Sequence, residues 1–159
     1  MTQPGNPTPP PLTPYLVVED TATAIDFYTR AFGAKELVRQ TTPNGKKVIH
    51  AAIEINGGML MLCDDFPEFT GQSRTPKAFG GSPVTLHLDL KDVDSTFAAA
   101  VEAGATVTMP LEDQFWGDRY GKVRDPFGHE WSLATRKKAM TQAELDVARE
   151  EQFGKTHGK

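Results

Sequence analysis

The chain has 159 residues, with 17 Lys and Arg against 21 Asp and Glu, a net charge of −4. That length suits one domain, or two small fused modules, with a sizeable core. Its cations are scattered except at residues 136–138, so nucleic acid is not an expected partner, and no apolar run approaches the ~20 residues of a membrane span.

Residues 1–11, MTQPGNPTPPP, lack large apolar side chains after Met1 and are rich in proline, which predicts a mobile arm outside the fold. The folded domain is expected over 12–138, in modules 12–65 and 82–135, followed by a helix and tail over 139–159. In the first module YLVVEDTATAIDFYTRAFGA reads as a strand, a helix start at Asp20 or Thr21, and an amphipathic helix stopped by Gly33. Its apolar stripe is Ala24, Ile25, Tyr28 and Phe32, with Phe27 at the edge. Strands follow near 46–55 and 59–63, with a weaker strand signal over Glu36–Thr41, and Asn44-Gly45 and Asn56-Gly57 read as hairpin turns.

LHLDLKDVDSTFAAAVEAGA repeats this plan, with Asp92 at the helix start, Val93, Phe97 and Val101 as the stripe and Gly104 as the stop. Strands are expected near 84–90, 105–110, 119–124 and 129–134. Gly33 to Gly104 and Gly57 to Gly128 are both 71 residues apart, so two α+β modules of strand, helix and three strands, βαβββ, are predicted. At the end of the chain Thr141 precedes Glu144 by three residues, the spacing of a capping box, and a helix should follow.

The alternation in PVTLHLDL assigns Val84, Leu86, Leu88 and Leu90 to a helix-covered face and Thr85, His87 and Asp89 to a polar one. Met59, Met61 and Cys63 likewise share a face, and their chemistry suggests a sheltered hollow of mixed polarity. The lone Cys63 has no internal disulfide partner and no leader pattern opens the chain, as expected of a cytoplasmic protein.

The paired modules, the helix segment above and LEDQFWGDRYGKVRDPFGHEWSLAT resemble the vicinal oxygen chelate superfamily of glyoxalase I, bleomycin and fosfomycin resistance proteins and extradiol dioxygenases. Within it, FWGDRYG with DPFGH is similar to the PhnB-like group. The resemblance implies two modules whose sheets form a mixed, cup-shaped surface around a small organic molecule, commonly completed in a homodimer. It also implies a divalent metal held by one first-strand and one last-strand residue of each module. Those positions fall at Thr13, Met61, Thr85 and Ser132, none of them His or Glu, so the usual metal set is expected to be missing.

Two functions stay open. One is a metal-free protein enclosing a ligand. The other is a metal-dependent lyase, isomerase or dioxygenase, with a divalent ion displaced onto His50, His87 and Glu130, since Glu130 shares a face with Ser132 and His87 with Thr85, each about 7 Å along its strand. The candidate ligand-binding residues are His50, Met61, His87, Asp89, Trp116, Arg119, Tyr120, Glu130 and Ser132. In that set Trp116 and Tyr120 form an aromatic rim, and Arg119 is the expected donor to a carboxylate or phosphonate. His129 is expected to be structural and Cys63 an inert thiol.

Overall fold

The first half of the chain folds as β1 (Tyr15–Val18), α1 (Thr21–Phe32), β2 (Lys35–Thr41), β3 (Val48–Ile55) and β4 (Gly58–Asp64) in the computed structural model, which describes residues 5–154. The second half repeats it as β5 (Thr85–Asp89), α3 (Val93–Ala103), β6 (Thr106–Asp113), β7 (Asp118–Arg124) and β8 (Glu130–Arg136). A short helix α2 (Pro67–Thr70) and a 3-10 turn (Pro76–Phe79) join the halves, and α4 (Gln142–Gly154) follows the second. Each module is a four-stranded mixed sheet, ordered β1-β4-β3-β2 and β5-β8-β7-β6, with its first strand parallel to its last. Of the predicted arm, residues 1–4 lie outside the described residues, as do residues 155–159 of the tail; residues 5–11 form no helix or strand.

The modules match down to single hydrogen bonds. Asp20 and Asp92 cap α1 and α3 by accepting from the backbone N–H of Thr23 and Ser95, and both helices stop at a left-handed glycine, Gly33 or Gly104. The first helical N–H is taken by a side chain from the last strand of the same module. Thr21 N donates to Asp64 Oδ1 at 2.7 Å, and Val93 N donates to Thr135 Oγ1 at 2.9 Å. Because α1 has 12 residues and α3 has 11, the register changes by one residue inside the helices. Asp20 and Asp92 are accordingly 72 residues apart, and Gly33 and Gly104 are 71 apart.

Both helices pack into one core. Tyr28, Phe27, Val18, Leu62 and Ile53 from the first module join Val93, Phe97, Val123, Trp131 and Leu133 from the second in a single buried cluster. On α1, Ala24, Ile25 and Tyr28 are buried as the sequence predicts, but Phe27 is fully buried instead of lying at the edge, Ala31 joins them, and Phe32 is only partly buried. On α3, Val101 is 41% exposed and Ala100 is buried in its place. Val84 also departs from expectation: it precedes β5, is 61% exposed, and leaves Leu88 as the fully buried member of its alternating series.

The modules are fastened at Asp125, the first residue of the DPFG turn. This buried carboxylate accepts from Tyr28 Oη at 2.6 Å, Trp131 Nε1 at 2.9 Å, and the backbone N–H groups of Phe127 and His129. Four donors supply what water would otherwise give a buried anion. His129 completes the seam through its Nε2 contact with the Val17 carbonyl at 3.0 Å, the structural role expected of it.

Candidate functional site

Since the helices occupy the inner face of both sheets, the other faces are turned away from the core. On the first sheet the pairings Tyr15 with Met61, Met61 with Ala52, and Ala52 with Val38 align four side chains in a row across β1, β4, β3 and β2. On the second, His87 with Ser132, Ser132 with Lys122, and Lys122 with Met109 form the matching row across β5, β8, β7 and β6. Directly paired residues share a face, so each row is continuous. The first is apolar apart from the tyrosine hydroxyl, and the second is polar and cationic.

The two histidines have different partners. His50 Nδ1 lies 2.9 Å from Tyr15 Oη, with the rings 5.6 Å apart. His87 Nδ1 lies 2.8 Å from Ser132 Oγ, and its ring is nearly parallel to that of Tyr120 at 6.2 Å. Trp116 meets Tyr120 edge to face at 5.5 Å and donates through Nε1 to Asp118, so the FWGDRYG aromatics are continuous with the His87 row. Cys63 neighbours Tyr15; burial raises its thiol pKa and a hydrogen bond with Tyr15 opposes that shift, which keeps it protonated near neutrality.

The other candidates divide. Glu130 accepts from Arg124 Nε at 2.6 Å and lies 3.5 Å from Thr108 Oγ1, so its carboxylate is already neutralised on the sheet. Asp89 is exposed at the end of β5 and borders a junction hollow of about 790 Å³ with Lys35, Glu54, Asn56 and Lys91. Its backbone carbonyl accepts from Asn56 Nδ2. Arg119 lies on the helix side of β7, where Nε contacts both oxygens of Asp94 at 2.9 and 3.1 Å and Nη1 meets Asp113 at 3.2 Å. The expected anion donor is thus occupied elsewhere.

Lys122 went unnoticed in the sequence. It is half-buried beside Ser132 on the side of the sheet turned away from the core, and among the described residues its ammonium has no carboxylate or hydrogen-bonding partner. A Gly-Lys-Val alternation in a strand gives only a weak hint of this. What isolates Lys122 is the identity of its neighbours on two other strands, Ser132 and Met109.

The four positions at which the resemblance places a metal do not suit one. Thr13 Oγ1 donates to the Pro10 carbonyl, Ser132 Oγ is bonded to His87, and Met61 and Thr85 supply a thioether and a neutral hydroxyl. The displaced trio does not assemble within one chain either: among the described residues no three of His, Cys, Asp and Glu lie together as a metal-holding group.

Comparison with known proteins agrees with this architecture. The model of the Glyoxalase/Bleomycin resistance protein/Dioxygenase superfamily matches residues 11–133. The chain belongs to this superfamily. An uncharacterized protein of Mycobacterium bovis is 54% identical over 140 residues, 87% of this chain and 91% of the relative. The crystal structure of TioX from Micromonospora is 31% identical, with a TM-score of 0.61, over 79% of this chain and 97% of that one. An Arabidopsis thaliana gene product is 32% identical, with a TM-score of 0.63, over 79% and 98% of the two chains. A PhnB protein of Bacillus cereus, at 20% identity and a TM-score of 0.59 over 79% and 99%, has the same fold.

Proposed function

We propose that this superfamily member binds a small organic molecule between two copies of the chain, the apolar row of one facing the cationic row of the other, without an ion at the four usual positions. The observation that carries this reading is the direction of the two faces. Helices α1 and α3 pack against each other in one core, leaving Tyr15 49% exposed and His87 exposed on surfaces turned away from that core. A homodimer related by a two-fold axis would cover both surfaces at once and create two equivalent cups. Among the described residues no helix is long and apolar enough to cross a membrane, and a partly exposed free Cys63 suits a reducing cytoplasm.

Light scattering together with calorimetric titration tests this. The protein should have twice the chain mass, and Zn²⁺, Ni²⁺ and Mn²⁺ should give no saturable heat. A monomer, or stoichiometric metal binding abolished by His87→Ala, would overturn the proposal.

A further inference from the structure

We infer that the ligand is an amphiphilic organic anion, whose negative group rests on Lys122 and Ser132 while its flat apolar body lies against Tyr120, Trp116 and the Tyr15–Met61–Ala52–Val38 row. The inference rests on the two-copy binding surface proposed above and names the chemistry that surface selects.

Lys122 carries the argument. Lys122 is half-buried on this face and has no carboxylate beside it among the described residues, so an anion that lands there meets an uncompensated positive charge. Arg124, two residues along the same strand, illustrates the satisfied alternative through its 2.6 Å contact with Glu130. Lys122 stands between Ser132 and Met109, and neither can neutralise it. Of the other acids on this face, Asp118 accepts from Trp116 and Arg136, while Asp89 and Glu112 pair across the strands with Ala134 and Tyr120, one row away from Lys122, which is about 7 Å along the strand. They ring the aromatic part of the surface and leave the Lys122 position open to a negative group.

Ser132 and His87 add direction. Ser132 is 3% exposed, and its hydroxyl faces His87 Nδ1 at 2.8 Å. With the imidazole proton on Nδ1, His87 donates to Ser132 Oγ, and the serine hydroxyl is free to donate to the same anion that Lys122 attracts. The contact thereby makes a neutral serine into an oriented donor. Beside it the stacked His87 and Tyr120 rings and the edge of Trp116 offer planar apolar contact. In the first module the corresponding row carries no charge. One wall therefore selects an anion and the other an apolar body.

The test is calorimetric titration of the full-length protein at near-physiological salt with 1-naphthoate and with the neutral 1-naphthamide. Naphthoate is expected to bind saturably and about tenfold or more tightly than the amide, a difference set by a charge-assisted contact. Lys122→Gln should bring naphthoate down to the level of the amide, and Lys122→Arg should keep the preference for the anion. Unfolding curves of both variants establish that they are folded. Equal, saturable binding of acid and amide, unaffected by Lys122→Gln, would overturn the anion assignment and leave the small-molecule surface standing. Saturable binding of neither compound would overturn the surface itself, and the anion assignment with it.

Discussion

Tyr28 and Asp125, 97 residues apart, meet at 2.6 Å between Oη and Oδ2 and join the helix of one module to the turn of the other. Tyr28→Phe removes one of four donors to a buried carboxylate, and a loss of about 1–3 kcal/mol in denaturant unfolding is expected. The pH dependence has a defined sign. Burial, followed by the Asp125 charge, raises the Tyr28 pKa well above its ordinary value of 10.0. The folded state therefore holds this proton more tightly, and the stabilisation is complete below about pH 10 and is lost as pH rises towards the folded pKa. The stability gap between wild type and Tyr28→Phe should accordingly narrow above about pH 10; a gap that widens there would contradict the assignment.

The helix-start clamps should be separable by module. Asp64 accepts both Thr21 N and Val48 N, at 2.7 and 2.9 Å, so Asp64→Ala strands two buried donors and should cost about 2–4 kcal/mol. Thr135→Val strands Val93 N and the Leu90 carbonyl, which accepts from Thr135 Oγ1 at 2.8 Å; both contacts are only part-buried, and about 1–2 kcal/mol is expected. Equilibrium unfolding of the two variants gives the order directly.

At Gly121 the requirement is for space. A Cβ there would lie 2.7 Å from Phe97 Cε2 and 3.0 Å from the Leu111 backbone, on the helix side of β7. Gly121→Ala should destabilise by about 1–3 kcal/mol through overpacking, measured as a lowered denaturant midpoint with an unchanged slope.

Much of this fold could be read from the residues because its punctuation has local causes. Gly33, Gly57, Gly104 and Gly128 all have positive φ, between 68° and 118°, which other residues adopt at a cost. Their spacing could therefore reveal the repeat. Asp20 and Asp92 were legible as caps for a similarly local reason, and α1 showed its buried face through helical periodicity. The site was less accessible. Arg119 and Lys122 are three residues apart and look equally available in the sequence, yet Arg119 is drawn to Asp94, 25 residues away on α3, while Lys122 faces the opposite side and meets no acid among the described residues. A strand's alternation shows that two residues point to different faces, but not which of them finds a counter-ion on another element. Val84 was misread because the alternation continues one residue beyond the start of β5.

That contrast predicts a difference in binding. Arg119→Ala should leave naphthoate affinity within about twofold of wild type, because its guanidinium is on the helix side, whereas Lys122→Gln should weaken it about tenfold. A matched loss in both variants, measured by calorimetry, would place Arg119 in the site after all.

Subunit complementation tests the central claim most directly, namely that the two rows of one binding site come from different copies. Met61→Glu places a carboxylate in the apolar row, and Lys122→Glu reverses the charge of the cationic row, so each variant alone should lose naphthoate binding. When they are co-expressed, a mixed dimer pairs both substitutions in one cup and leaves the other cup wild type. Random pairing then restores about a quarter of the wild-type sites, at wild-type affinity. Recovery of that fraction is the predicted result; no recovery from a mixture shown to contain mixed dimers would mean that each chain builds its site alone and would contradict the account.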